Sequence, residues 1–216
     1  MIPPSSRASQ ARAIEFDATL SAAAGAVLDL TAGGTLGETV TGAGTLRLES
    51  STYTLAAGTL GIATVAVDAG ARLSGFGAAS GALTDAGTVN AAGGTLTLSG
   101  AVTGIGALSA SASAVLDLTA GGALTEAISG AGTLQLDAAT YSLAGGTVSI
   151  ATITVDAGAT LSGAGPITGS VTDAGTISAS GGVLQLGAIT GTGALIAASG
   201  ATIDRRRHSR AAARLR

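Results

Sequence analysis

The stretch Gly130–Val155, GAGTLQLDAATYSLAGGTVSIATITV, occurs earlier in the chain as Gly42–Val67, GAGTLRLESSTYTLAAGTLGIATVAV. The correspondence continues outward on both sides. AVLDLTAGG at Ala26–Gly34 returns at Ala114–Gly122, and TDAGT at Thr84–Thr88 returns at Thr172–Thr176. Asp29 and Asp117 mark the offset, so the unit is 88 residues long. Self-similarity at a fixed period signals a chain built by stacking or stringing one structural unit. The units run from about 18 to 105 and from 106 to 192, and the start of a third reaches 204.

Inside each unit the pattern is short strand and tight turn. Leu46 and Leu48 alternate with Thr45, Arg47 and Glu49, as Leu134 and Leu136 do with Thr133, Gln135 and Asp137. A period of two places the leucines on one face and the polar residues on the other. Val148 and Ile150 keep one phase, and Ile153 and Val155 another. The slip at Ala151-Thr152 predicts a bend, and the first copy slips at Ala63-Thr64. Asp-Ala-Gly recurs at Asp68–Gly70, Asp85–Gly87, Asp156–Gly158 and Asp173–Gly175. Aspartate can accept a hydrogen bond from the backbone two residues on, and glycine tolerates positive φ, so this tripeptide makes a tight turn. No segment before the tail carries a helical period.

Two architectures can bury strands this short. One is a parallel, right-handed β-helix with coils of roughly 18–25 residues stacked on one another. The other is a row of immunoglobulin-like sandwiches, one per unit. Hydrophobic residues make up 46% of the chain but aromatics only 2%, and there are 35 glycines. Small aliphatic side chains suit a narrow solenoid lumen better than a sandwich core. An all-β fold of the first kind is therefore expected over 18–204, with Leu46, Leu48, Leu134, Leu136, Ile153 and Val155 pointing inward. Residues 1–17 read as a lead-in or cap, and 205–216 as a basic, disordered and dispensable tail.

The repeated segment resembles the autotransporter-associated β-strand repeat of bacterial surface proteins. The residues that carry the likeness are Gly42, Gly44, Thr45, Leu46, Leu48, Thr52, Tyr53, Gly58 and Thr59, with Gly130, Gly132, Thr133, Leu134, Leu136, Thr140, Tyr141, Gly146 and Thr147 in the second copy. The resemblance implies a structural, adhesive passenger segment at the bacterial surface or outside the cell. Its partner would be a host or neighbouring-cell surface, including surface carbohydrate. Such proteins usually start with a secretion signal and often end in a membrane barrel. Neither is recognisable here, so the chain reads as a fragment of a larger adhesin. Missing caps would then invite end-to-end self-association.

The chemistry points the same way. Between Glu15 and Asp204 lie all 13 acids and only Arg47 and Arg72, a balance of 2 − 13 = −11. Such a body repels nucleic acid and anionic membrane. Cysteine and lysine are absent, and the one histidine, His208, lies in the tail. No disulfide, no thiolate metal site and no Ser-His nucleophile can form in the body. No apolar run reaches the roughly 18 residues of a membrane helix. Catalytic, cofactor and metal residues are therefore expected to be none, and each acid is expected on a turn or an outer face. Asp68 with Asp85, and Asp156 with Asp173, are about one coil apart and could stack as a carboxylate pair. Asp29, Asp117 and Asp204 occupy equivalent places but are whole repeats apart. Tyr53 and Tyr141 could stack on carbohydrate, though their equivalence favours a structural role. Thr95-x-Thr97 and Thr152-x-Thr154 are too isolated for an ice-like lattice face. An enzyme that processes polysaccharide is the alternative, and would need three or more acids converging on one groove.

Overall fold

The structure, a computed structural model, describes residues 14, 15 and 19–205. The described chain contains strands and turns and no helix. Every strand pairing is parallel, and the coils stack into a β-solenoid of about 10 turns. Parallel stacking excludes the row of antiparallel sandwiches.

Register follows from the apolar alternation. Each residue pairs with one a single coil further on, from 16 places on (Arg72 with Thr88) to 20 (Leu20 with Val40). The shortest coils, from Arg72 to Thr88 and from Thr160 to Thr176, are closed by the turns Asp85–Gly87 and Asp173–Gly175 and fall below the range the sequence suggested. Three stacks run up the molecule, one per face. The first is Leu20, Val40, Leu60, Ala79, Leu98, Leu118, Leu136, Val155, Asp173 and Gly191. The second runs from Ile14 through Gly34, Tyr53, Leu73, Val89, Leu108, Ile128, Val148, Ile167 and Leu186 to Arg205. The third holds Leu28, Leu46, Val65, Leu83 and Val102 in its lower part. Its upper part holds Gly122, Tyr141, Leu161, Ile177 and Leu195.

These stacks show how the sequence repeat maps onto the solenoid. Starting at Leu20, four turns lead through Val40, Leu60 and Ala79 to Leu98; the chain then passes Val102 on the third face and reaches Leu108 on the second. Leu108 is the repeat partner of Leu20. One unit therefore makes four and two-thirds turns. Each stack of the first unit continues on a different face in the second: first to second, second to third, third to first. Equivalent residues of the two units are not above one another. They are rotated by two-thirds of a turn and separated by about 22 Å along the axis at the usual strand spacing.

The six residues expected to point inward are all at most 1% exposed. Burial alternates along the strand Thr147–Val155 and slips at Ala151-Thr152, where the chain turns from the second face to the first. The corner before the repeated runs Thr45-Leu46-Arg47-Leu48 and Thr133-Leu134-Gln135-Leu136 shows why the motif there is Gly-Ala-Gly. Gly42 and Gly130 have φ of +124° and +132°, and a Cβ there would lie 2.0 Å and 2.1 Å from the carbonyl oxygens of Ala22 and Ala110. Only glycine satisfies both conditions.

At the ends, Ile14–Glu15 pairs with Gly34–Thr35, so part of the lead-in belongs to the ladder. Arg205 closes the last strand, Thr202–Arg205, opposite Leu186, so the fold extends to the first residue assigned to the tail. The rest of both terminal segments, with His208 and the remaining tail arginines, lies outside the described residues.

Candidate functional site

Three groups of side chains could carry chemistry: the tyrosines, the carboxylates inside the lumen and the carboxylates on the outer faces. Tyr53 and Tyr141 are 1% exposed and belong to the core. The Tyr53 hydroxyl donates to the carbonyl of Leu30, with the Glu49 carbonyl 3.0 Å away, and Tyr141 donates to the carbonyl of Leu118. Burial pushes the Tyr141 phenol up to about 12. Each tyrosine bolts its coil to the one below, and neither ring is available to a sugar.

Three acids are shut away from solvent, although Asp85 and Asp173 sit on their expected turns. Asp85, Asp173 and Glu126 are 0%, 2% and 1% exposed. The cause is register. Asp85 stacks on Val67, not on Asp68, and Asp173 stacks on Val155, not on Asp156. A shift of one residue along a strand reverses the side a residue faces, so the Asp68–Asp85 and Asp156–Asp173 stacks do not form. Asp85 Oδ1 accepts the Gly87 amide at 2.9 Å, and Asp173 Oδ1 accepts the Gly175 amide at 3.0 Å. This is the turn bond that the Asp-Ala-Gly sequence predicts, made by a side chain turned inward. Glycine in the next coil makes the space: a Cβ at Gly106 would lie 2.3 Å from Asp85 Oδ2, and one at Gly193 would lie 2.4 Å from the Asp173 carboxyl. Glu126 Oε2 accepts the Thr125 amide at 3.1 Å. The other oxygen of each acid is buried without a hydrogen-bond partner among the described residues. Burial, with a smaller contribution from the Glu126 charge, pushes the Asp85 carboxyl up to about 6, and burial raises Asp173 as well.

On the outside, each unit builds a cluster of three acids around one central residue. In the first unit Arg47 stacks on Asp29. Its guanidinium lies 2.6 Å from Asp68, 2.8 Å from Glu49 and 3.8 Å from Asp29. In the second unit Gln135 takes the place of Arg47 and stacks on Asp117. Gln135 Nε2 donates to Asp156 Oδ2 at 2.9 Å and to Asp137 Oδ1 at 3.3 Å. The Thr97 hydroxyl donates to Asp117 Oδ2 at 3.1 Å. Burial raises the Asp117 carboxyl, the charges of Asp137 and Asp156 add to that, and the Thr97 bond opposes it. Sequence reasoning compared Asp29 with Asp117 and with Asp204 but missed the acids gathered around the first two. The available signal was the shared spacing of Asp29, Glu49 and Asp68 with Asp117, Asp137 and Asp156 in a coil of about 19 residues.

Asp29, Asp117 and Asp204 lie on the third, first and second faces respectively, because the repeat rotates. Thr152 and Thr154 stack beneath Ser170 and Thr172, but above Thr133 and Gln135, so the hydroxyl row is short. A cleft between Pro166–Gly169 and Gln185–Gly187 is lined by no ionisable side chain. Among the described residues, no group of three or more acids or histidines is spaced to hold a metal ion.

Comparison of the chain with protein-family models, with curated proteins and with solved structures gave no match. The resemblance to the autotransporter-associated repeat therefore rests on its own residues.

Proposed function

We propose that the protein is a structural and adhesive rod, a non-catalytic segment of a secreted bacterial surface protein that contacts host or neighbouring cells. The observation that carries this reading is the unbroken ladder of the second face, which runs from Ile14 to Arg205. Every coil is hydrogen-bonded to the next, and the lumen is filled with aliphatic side chains. Such a rod is stiff along its axis and carries its repeats on successively rotated faces, which suits projection and multivalent contact. The resemblance in the Gly-x-Gly-Thr-Leu-x-Leu and Thr-Tyr residues supplies the location. The test is protease shaving of intact source cells with immunodetection of the chain, and binding of the purified protein to cell surfaces. Loss of signal on shaving and saturable binding are expected. Detection only inside the cells, or no binding above an unrelated acidic rod, would overturn the reading.

The polysaccharide-processing alternative draws on one observation, the convergence of Asp117, Asp137 and Asp156. Reducing-end release from a polysaccharide panel tests it, and none is expected. Release abolished by Asp117→Asn would replace the adhesive reading with the enzymatic one.

A further inference from the structure

Two of the buried acids, Asp85 and Glu126, meet in one corner of the solenoid. Ala107 pairs with Thr88 below it and with Ala127 above it. The residues that precede these three, Gly87, Gly106 and Glu126, therefore rise one above another. Asp85 enters this column from the side. Its Oδ1 accepts the Gly87 amide, and its Oδ2 lies 2.3 Å from the place of a Cβ on Gly106. The carboxyl of Asp85 thus fills the room of the side chain that Gly106 lacks. Glu126 stands one coil above Gly106, about 4.8 Å at the usual strand spacing, and its side chain is also shut away from solvent. Ile105, the neighbour of Gly106, is 90% exposed and puts nothing between the two acids.

Each acid keeps one oxygen, Asp85 Oδ2 and Glu126 Oε1, buried and without a hydrogen-bond partner among the described residues. Two ionised carboxylates stacked in this way repel each other, and one proton held between them relieves the repulsion. The strands packed around the pair are Thr52–Val67, Thr88–Leu98, Val102–Gly104, Ala107–Ala110, Gly122–Leu124, Ala127–Leu136, Thr140–Leu143 and Thr147–Val155. Their titratable groups are Tyr53 and Tyr141, whose hydroxyls are bonded to main-chain carbonyls. Asp68 and Asp117 are turned outward, to Arg47 and Thr97. No cation and no third acid faces the pair from these strands. A divalent calcium ion takes six or more oxygens, and among the described residues no group of three or more acids is spaced to hold a metal. Burial raises the Asp85 carboxyl, the Gly87 bond opposes the rise, and the Glu126 charge adds to it. Asp173 is the internal control. It has the same turn bond, the same glycine above it at Gly193 and the same unpartnered oxygen. Burial raises it against the Gly175 bond, with no second acid contributing.

We propose that Asp85 and Glu126 share a single proton across the lumen and act as a pH-operated lock between the two units. Asp85 belongs to the first unit and Glu126 to the second. In the locked state Asp85 Oδ2 carries the proton and directs it to Glu126 Oε1, and the pair bears one negative charge. As the pH rises the proton passes to water, the pair bears two negative charges, and the coil that holds Val102–Gly106 is pushed open. A group whose folded pKa is raised contributes stability that is complete below its unfolded pKa and is lost as pH rises through its folded pKa. The lock therefore holds below about pH 4 and is released as pH rises through about 6. The pair forms only where one unit follows another. Glu38, the repeat partner of Glu126, has no Asp-Ala-Gly turn beneath it. The device lies in the core, so it stands or falls independently of the adhesive reading.

The experiment follows the side-chain carboxyl carbons of Asp85 and Asp173 by NMR in the full chain as pH is raised, together with amide exchange corrected for its intrinsic pH dependence. Glu126→Gln removes one charge, so it should lower the Asp85 midpoint by about half a pH unit or more and leave Asp173 where it was. In the parent, the amides of Val102–Gly106 and Gly122–Leu124 should exchange about tenfold faster above the Asp85 midpoint than below it, as a local opening does. That difference should vanish in Asp85→Asn and shrink in Glu126→Gln. An Asp85 midpoint unmoved by Glu126→Gln would overturn the shared proton, and junction exchange indifferent to pH would overturn the lock. Calcium chloride that slows this exchange above the midpoint would make the corner a cation site and overturn the proposal. Should Glu126→Gln fail to fold, the parent decides: equal acceleration around Asp85 and Asp173 would assign the effect to burial alone.

Discussion

Ala57 and Ser113 hold a left-handed backbone without being glycine, with φ of +60° and +64°. The other unit has glycine at both places: Gly145 has φ of +94° and Gly25 has φ of +75°. A left-handed L-residue costs roughly 1–2 kcal/mol. Part of that gain is offset by the greater freedom of glycine in the unfolded chain. Ala57→Gly and Ser113→Gly should each stabilise the protein by about 0.5–1 kcal/mol in urea unfolding, and Gly145→Ala should destabilise it by a similar amount. The buried carboxyl of Asp85 gives a second expectation. Its folded pKa, about 6, is above the roughly 3.9 of an unfolded aspartate. The folded state therefore holds the proton more tightly. The contribution of this group to stability is complete below about pH 4 and is lost as pH rises through about 6. Asp85→Asn keeps an oxygen for the Gly87 amide and carries no charge. The variant should melt higher than the parent at pH 7.5 and show a flatter Tm profile between pH 4 and 6.5. An unchanged profile would show that Asp85 does not govern this window.

At the scale of the element, the coil depends on two local devices. One is the glycine corner. Gly42→Ala or Gly130→Ala puts a methyl group against a carbonyl of the coil below, at a φ that alanine avoids. Neither the backbone oxygen nor the register can move without breaking the ladder, so a loss of about 2–4 kcal/mol is expected in thermal or urea unfolding. The other is the tyrosine bolt. Tyr53→Phe removes the donor to the Leu30 carbonyl while keeping the ring packed. The Leu30 carbonyl keeps the Glu49 amide at 2.9 Å, so loss of the tyrosine bond should cost about 0.5–1.5 kcal/mol, and amide exchange should speed up around Leu30 first.

For the whole molecule, parallel stacking leaves an end. The strands Ala194–Ala197 and Thr202–Arg205 pair only with the coil beneath them among the described residues. Leu195 and Ile196 there are 36% and 49% exposed, although the residues beneath Leu195 in its stack, Leu161 and Ile177, are buried. An apolar, unpaired strand edge is a template for a further strand. Light scattering should therefore show mass rising with concentration, and Leu195→Arg with Ile196→Arg should suppress the rise. A monodisperse monomer at high concentration in the parent protein would refute this.

Much of this protein was legible in one dimension. The 88-residue repeat, the alternation of leucine with threonine, the scarcity of aromatics and the Gly-rich turns determine a solenoid of short strands. They determine it because period-two alternation and small side chains leave few other ways to bury a core. The inward set of Leu46, Leu48, Leu134, Leu136, Ile153 and Val155 follows from the same alternation. What only the tertiary structure decided depends on the length of a coil, which no residue states locally. Coils of 16–20 residues do not divide the repeat evenly, so the second unit is rotated and Asp29 and Asp117 face different ways. The same register turns Asp85 and Asp173 inward, since stacking on Val67 and Val155 in place of the neighbouring aspartates reverses their side. It also gathers Asp117, Asp137 and Asp156, which lie about a coil apart in sequence, around a single glutamine. Alternation along a strand is a local property. Which residue lies above which is the sum of every turn between them.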